Sequence, residues 1–120
     1  MNIDSIIATK TPFEPNSLRE PTSSEREYFQ YYGIDFEHQL TGIHHHFGFF
    51  QCAGFDIAAH YYHPVGQTSR GTVFILHGYF DHVGLYRHLI EYCLINGYSI
   101  VAFDLPGHGL SSGPCDCTLP

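Results

Sequence analysis

The sequence is short of positive charge and of long apolar runs, and each shortage excludes a class of protein. Lysine and arginine number 5 against 12 acidic residues, which gives a formal net charge of -7. Nucleic acids and anionic lipid surfaces are held by clustered basic side chains, so neither is an expected partner. No apolar run approaches the length of a transmembrane segment, and Met1–Thr11 lacks the basic start of a signal peptide.

The composition also argues against disorder and against a disulfide scaffold. Only 14% of the 120 residues are charged, whereas 43% are hydrophobic, so one folded globular domain is expected. The four cysteines, at positions 52, 93, 115 and 117, do not form the pattern of a disulfide framework. Cys52 and Cys93 lie in apolar segments typical of buried free thiols, which favours a reducing, cytoplasmic environment.

The N-terminal part of the chain predicts little regular structure. Residues 1–24 contain three prolines and no periodicity, so this segment is expected to be loop-like. Ser24 and Glu27 fit a capping box, which predicts a short helix from Glu25 to Tyr32 that ends at Gly33.

Two strands are predicted in the middle of the chain. His46–Cys52 is rich in aromatic residues, and Phe55–Tyr62 alternates with a period of two. Ala53-Gly54 supplies a turn between them and Pro64 ends the second strand. The pair is therefore predicted to be an antiparallel hairpin at the edge of a sheet.

A strand, a helix and a second strand are predicted after the hairpin. Thr72–Leu76 and Tyr98–Phe103 are continuous apolar runs, which are typical of parallel strands covered on both faces. Between them, apolar residues from Tyr86 to Leu94 recur at helical spacing, with Asp81 as the expected cap and Gly97 as the expected end. This order predicts a right-handed βαβ unit and an α/β fold class.

The loops that follow the two apolar runs carry a resemblance to a known family. They read HGYFDHVGLY over residues 77–86 and DLPGHGLSSG over residues 104–113. Together they are similar to the α/β-hydrolase superfamily, and within it to the lysophospholipase and monoacylglycerol lipase branch, also called serine aminopeptidase S33. The resemblance covers about Phe47 to Gly113. It implies the N-terminal part of an α/β-hydrolase fold, truncated before the nucleophile strand, with residues 25–113 forming a partial domain.

The resemblance also implies a site and a chemistry. The parent activity would be hydrolysis of a lipid or another small carboxylic ester, without a cofactor or a metal. The backbone N–H of Tyr79 would donate to the oxyanion of the tetrahedral intermediate. Gly78 would allow the chain to turn with a positive φ, and His77 would orient the loop through hydrogen bonds.

The catalytic serine, acid and histidine of such a hydrolase are not found in this chain. Residues 109–113 satisfy the pattern G-x-S-x-G, but Ser111 has no strand directly before it and no helical pattern after it. No histidine follows residue 108 either. Asp104 and Ser111 are therefore expected to bind loop backbone groups, and Asp81 to cap a helix, rather than to act as catalytic groups.

The last seven residues differ in composition from what precedes them. Residues 114–120 contain two cysteines and two prolines where the resembled family has a polar helix-forming stretch. We interpret them as an atypical tail, and a frameshift or premature stop is the hypothesis. Such a truncation would leave the strand at Thr72 as an apolar sheet edge and make the chain poorly soluble.

Two alternatives stay open at the level of sequence. A non-catalytic fragment of the same fold could pair with a partner, such as a complementary C-terminal fragment. A histidine-rich metal-binding module is the lesser alternative, because His44 and His46 share one strand face and His60 could approach across the hairpin. The second pattern is weak, since neither a carboxylate nor a cysteine pair stands at a recognised ligand spacing.

Overall fold

A four-stranded mixed sheet organises the computed structural model, which describes residues 1–113. The strands are β1 (Ile43–Cys52), β2 (Phe55–Pro64), β3 (Thr72–Ile75) and β4 (Ser99–Phe103), in the spatial order β1-β2-β4-β3. β1 and β2 are antiparallel, β2 and β4 are antiparallel, and β3 and β4 are parallel. The predicted hairpin and parallel strand pair are confirmed, whereas the predicted tail lies outside the described residues.

Helices cover one face of this sheet. They are α1 (Ile3–Thr9), α2 (Ser23–Tyr32), α3 (Phe36–Gln39) and α4 (Arg87–Ile95), with a 3₁₀ turn at Val83–Tyr86 before α4. α4 connects β3 to β4, as the βαβ prediction requires. None of the helices within residues 1–113 has the length and apolar character needed to traverse a bilayer.

The hairpin between β1 and β2 has a tight two-residue turn. Cys52 pairs with Phe55, and Ala53 and Gly54 both have a positive φ, at 52° and 83°. Two successive left-handed residues match the right-handed twist of the strands, which explains why Ala-Gly serves here. The core-facing side packs against α2, where the rings of Tyr28 and Phe47 lie 5.9 Å apart.

The N-terminal segment is more ordered than expected, so the prediction that it lacks regular structure is wrong for Ile3–Thr9. Asn2 caps this helix through Asp4 N, and Ile6 is buried. A helix of seven residues with one buried position is too short for apolar periodicity to reveal. After it, Phe13 N donates to Phe49 O and Phe49 N donates to Thr11 O, both at 2.9 Å, so the segment lies along β1.

The cap of α2 also differs from the prediction. The capping box consists of Thr22 and Glu25, two residues before the predicted pair. Both patterns satisfy the local rule, and a contact from outside the helix selects between them, because Arg19 holds both carboxylate oxygens of Glu25 at 2.7 and 2.9 Å. The predicted end at Gly33 is confirmed by its φ of 69°.

Two further expectations about exposure need correction. Phe74 and Leu76 are 67% and 63% exposed, so among the described residues β3 is not covered on both faces. This strand is an edge strand of the described sheet, which leaves half of its apolar run open. Cys93 is a buried free thiol as predicted, whereas Cys52 is exposed because it lies at the hairpin tip.

Candidate active-site loops

The candidate site lies where β3 and β4 end, and one buried carboxylate joins its two loops. Asp104 accepts hydrogen bonds from Val83 N at 2.9 Å and from Leu110 N at 3.0 Å. Burial raises the pKa of Asp104, and the two N–H donors counteract the shift. Both carboxylate oxygens hold loop backbone, as expected for a structural role.

The hydroxyl of Ser111 is also fully used in hydrogen bonds to the backbone. Its hydroxyl donates to Asp104 O at 2.7 Å and accepts from Ala58 N at 2.9 Å. The side chain thereby fastens the loop to β2 and is itself buried. A nucleophilic serine needs an exposed hydroxyl on a strand-to-helix elbow, so this environment agrees with the expectation that Ser111 is not the nucleophile.

His77 links the two loops to each other. Its Nε2 accepts from Leu105 N at 2.8 Å, so the ring hydrogen is on Nδ1, which donates to Gly78 O at 2.8 Å. This pair of bonds fixes the tautomer and the ring orientation. The expected orienting role of His77 therefore has a geometric basis.

The turn after His77 is made differently from the prediction. Gly78 does not have a positive φ, and the left-handed residue is Phe80, with φ of 63°. Asp81 N donates to Gly78 O at 3.1 Å, which closes a four-residue turn over residues 78–81. The positive φ therefore falls two residues later than predicted, at the third residue of this turn.

Tyr79 stands at the tip of that turn. Among residues 1–113 its backbone N–H has no hydrogen-bond acceptor, and its side chain is 72% exposed. The ring packs on those of Phe80 and His108, with centroids 4.2 and 5.5 Å away. An unpaired N–H on a loop held by hydrogen bonds at both ends can bind an external acceptor.

Asp81 does not cap the following helix, which corrects the prediction. The side chain of His82 caps the 3₁₀ turn instead, by accepting from Gly84 N at 3.2 Å. Asp81 accepts from the hydroxyl of Tyr86 at 3.0 Å, and that hydroxyl accepts from Gly78 N at 3.3 Å. Tyr86 is thus a loop-supporting residue whose contacts depend on the fold of the turn.

The sequence patterns predict no role for His108, and the structure places this residue in the second loop beside His77. Its Nδ1 donates to Pro106 O at 3.1 Å, and its ring lies 5.2 Å from that of His77. Its buried Nε2 has no partner among the described residues. The GHG motif was the available signal, but the motif alone does not say which ring nitrogen stays free.

The histidines of the hairpin form two pairs on opposite faces. His46 and His63 meet on the outer face, with Nε2 atoms 2.9 Å apart, whereas His45 and His60 meet on the core face. His60 therefore does not approach His44 and His46, contrary to the metal-site alternative. No three His, Cys, Asp or Glu side chains converge as a metal site within the described part of the chain.

Part of the chain matches a model of a known protein family. The sequence model of the family described as serine aminopeptidase S33 matches residues 67–115, which include both loops. A comparison with curated proteins finds no match.

Among solved structures, a cold-adapted esterase from an Arctic intertidal metagenomic library is 19% identical, with a TM-score of 0.51 over 82% of this chain and 35% of that one. Acetyl xylan esterase 1 from Thermoanaerobacterium sp. JW/SL YS485 is 18% identical, with a TM-score of 0.48 over 93% of this chain and 38% of that one. The Cif epoxide hydrolase from Acinetobacter nosocomialis is 19% identical, with a TM-score of 0.44 over 85% of this chain and 31% of that one.

The fold class follows from the sheet and from the first of these structures. The described residues have the N-terminal part of an α/β-hydrolase fold, an edge hairpin followed by a βαβ unit. The chain spans about a third of the length of these solved structures.

Proposed function

We propose that this chain is the part of a serine-type carboxylic ester hydrolase that supplies the first oxyanion donor, the N–H of Tyr79. The observation that carries the proposal is that this N–H has no acceptor among residues 1–113 while its loop is held in place. His77 ties the loop to Leu105 N on one side and to Gly78 O on the other. Preplaced donors of this kind stabilise a developing oxyanion without reorganisation during the reaction.

In the proposed reaction, a serine hydroxyl attacks the ester carbonyl while a histidine takes its proton. The alcohol then leaves, and water hydrolyses the acyl-enzyme to release the acid. Tyr79 N–H holds the carbonyl oxygen in both tetrahedral intermediates, together with the N–H that follows the nucleophile. The described residues contain no arrangement of serine, acid and histidine suited to this chemistry, so we expect the 120-residue chain to be inactive alone.

We further propose lysophospholipids or monoacylglycerols as the substrate class and the cytoplasm as the location. This substrate class is the one that the resemblance of the two loops implies, and the S33 family model matches residues that include both loops. The exposed rings of Tyr79 and Phe80 add support, because they place apolar surface beside the proposed donor. Cys52 and Cys93 are free thiols, as expected of a protein in a reducing compartment.

The first test is to translate the DNA that follows codon 113 in every frame. A frame that continues into a strand, a G-x-S-x-G elbow, an acid and then a histidine would support the catalytic proposal. Stops in all frames without these motifs would refute it for this gene.

The second test removes the donor in a chain that carries such a continuation. Tyr79→Pro deletes the N–H and should lower kcat for a monoacylglycerol by roughly 10²–10³-fold, with little change in KM. Tyr79→Ala is the matched control, because it removes the exposed ring and keeps the N–H. Equal loss in both variants would show that the ring, rather than the N–H, matters.

A second candidate function is partner binding without catalysis. β3 lies at an edge of the described sheet, and Phe74 and Leu76 expose apolar surface there, which suits the addition of a strand from another chain. A complementary C-terminal hydrolase fragment is the proposed partner. Pull-down of such a fragment by the wild-type chain, and its loss in Phe74→Lys, would support this function.

A further inference from the structure

The turn over residues 78–81, which carries Tyr79, contains a strained residue. Phe80 is the third residue of this turn and has a φ of 63°, in the left-handed region. A side chain with a Cβ crowds the following carbonyl oxygen in that region, and glycine is the residue that adopts it without cost. A turn with a bulky residue there therefore needs contacts from its surroundings to keep its shape.

The carbonyl of Gly78 determines where the proposed oxyanion donor points. It accepts from Asp81 N at 3.1 Å and from His77 Nδ1 at 2.8 Å. The N–H of Tyr79 belongs to the same planar trans peptide, so it points away from these two donors. The orientation of Tyr79 N–H thus depends on how firmly the turn is closed.

One hydroxyl from outside the turn joins its two ends. Tyr86 Oη accepts from Gly78 N at 3.3 Å and donates to Asp81 Oδ2 at 3.0 Å. The hydroxyl therefore bridges the same two residues that the backbone bond of the turn joins. Burial raises the pKa of Tyr86, the N–H of Gly78 counteracts the shift, and Asp81 adds to it. The group accordingly keeps the proton that it donates.

Tyr86 is itself held by the core. It is the last residue of the 3₁₀ turn Val83–Tyr86 and directly precedes α4. Val83 and Ile90, which lie before and after it in the sequence, are fully buried, and the Tyr86 ring packs against the same core. The hydroxyl that joins the ends of the turn therefore comes from a well-packed element rather than from the turn itself.

We propose that Tyr86 is a positioning residue for the oxyanion donor, Tyr79 N–H. Its hydroxyl clamps Gly78 to Asp81 and thereby keeps the strained Phe80 in its left-handed conformation. The same hydroxyl occupies the N–H of Gly78, which leaves the next N–H along the chain free to bind an oxyanion. A donor held in this way needs no reorganisation during the reaction. The catalytic use of the donor rests on the proposed function, whereas the clamp itself does not.

The clamp predicts that two substitutions act non-additively. Tyr86→Phe keeps the ring and removes only the hydroxyl, so the strained turn should open. Phe80→Gly removes the strain, because glycine has no Cβ, so the turn of the double variant should close again. A hydroxyl with a merely structural role would give a loss that the glycine does not repair.

The first test measures backbone hydrogen exchange in the full 120-residue chain, resolved to single residues by mass spectrometry with electron-transfer fragmentation. Tyr86→Phe should speed the exchange of Gly78 and Asp81 at least about tenfold, after correction for intrinsic rates. Adding Phe80→Gly should restore slow exchange at Asp81 but not at Gly78, whose acceptor is gone. Tyr92→Phe, which removes an exposed hydroxyl on α4, is the matched control and should change neither rate.

Circular dichroism confirms that each variant is folded. Unchanged exchange at Asp81 in Tyr86→Phe would overturn the clamp, whatever the chain catalyses. The absence of recovery at Asp81 in the double variant would overturn it as well.

The second test uses the chain that carries a hydrolase continuation, with a monoacylglycerol as the substrate. Tyr86→Phe should lower kcat roughly tenfold with little change in KM, and Phe80→Gly should recover most of that kcat. A loss in Tyr79→Pro without a loss in Tyr86→Phe would overturn this inference and leave the proposed function standing. Full activity in both variants would refute the proposed function itself, and with it the catalytic use of the clamp.

Discussion

The two edges of the sheet differ in how they are covered. The β1 edge is covered by residues 11–13, whose backbone is hydrogen-bonded to both the N–H and the C=O of Phe49. The two segments are so close that a Cβ at Gly48 would meet Phe13 Cα at 2.5 Å. The β3 edge pairs only with β4 among residues 1–113, and Phe74 beside it is largely exposed. Uncovered apolar edge strands pair with strands of other chains, so β3 is the edge at which we expect association.

The largest expected effect concerns the open edge. The 120-residue polypeptide alone should self-associate, because β3 offers unpaired backbone and apolar side chains. The double variant Phe74→Lys, Leu76→Lys should shift it toward the monomer, as measured by size exclusion with light scattering. Tyr31→Lys, at an equally exposed aromatic residue on α2, should leave association unchanged. A monomeric wild-type chain with a sharp cooperative melt would contradict this prediction.

Acid should destabilise the fold through its buried histidines, His60 and His82. Burial lowers the pKa of His60 to about 3 and that of His82 to about 4. The unfolded chain binds protons near pH 6.5 and the folded chain does not, so stability falls as pH drops below about 6.5.

The measurement is urea unfolding between pH 6.5 and 5. Each histidine that stays neutral in the folded state contributes about 1.4 kcal/mol per pH unit to the slope. His60→Gln should remove one such contribution. An unchanged slope in His60→Gln would mean that His60 does not stay neutral in the folded protein.

The covered edge also depends on an ion pair in which the carboxylate of Glu25 is buried and Arg19 is partly exposed. Arg19 binds both oxygens of Glu25 and donates to Phe47 O at 2.8 Å, which anchors the N-terminal segment on β1. Arg19→Ala leaves the buried Glu25 carboxylate without its cation and should cost about 3 kcal/mol of unfolding free energy. Arg26→Ala breaks the exposed pair with Glu20 and should cost less than about 1 kcal/mol. Similar losses in the two variants would show that burial does not distinguish these pairs.

The smallest effect concerns the loop after β4, which Ser111 fastens to β2 by a hydrogen bond. Ser111→Ala removes one acceptor and one donor from buried backbone groups and should cost about 1–2 kcal/mol in urea unfolding. Ser17→Ala, at an exposed hydroxyl, should be nearly neutral. A fluorophosphonate probe should not label Ser111 in the wild-type chain. Labelling at this residue would show that Ser111 is a nucleophile after all.

Local pattern was sufficient for much of the fold. The period of two in Phe55–Tyr62 and the apolar runs at Thr72–Leu76 and Tyr98–Phe103 predicted the strands and the direction of their pairing. These elements are predictable because their side chains meet the same environment at every repeat. The motifs of the two loops likewise located the candidate site, since the residues of a tight loop are close in sequence.

Side-chain contacts that the local patterns do not specify decided the rest. The capping box moved to Thr22 and Glu25 because Arg19 selects that glutamate. Asp81 binds Tyr86 rather than a helix terminus.

The sequence by itself therefore determined the strands, the crossover helix and the loops at their ends, because these depend on neighbours along the chain. Only the tertiary structure decided that residues 11–13 cover the β1 edge and how the histidines pair. Both depend on strand register, and a shift of one residue moves a side chain to the opposite face. His46 therefore meets His63 on the outer face, and His60 meets His45 on the core face.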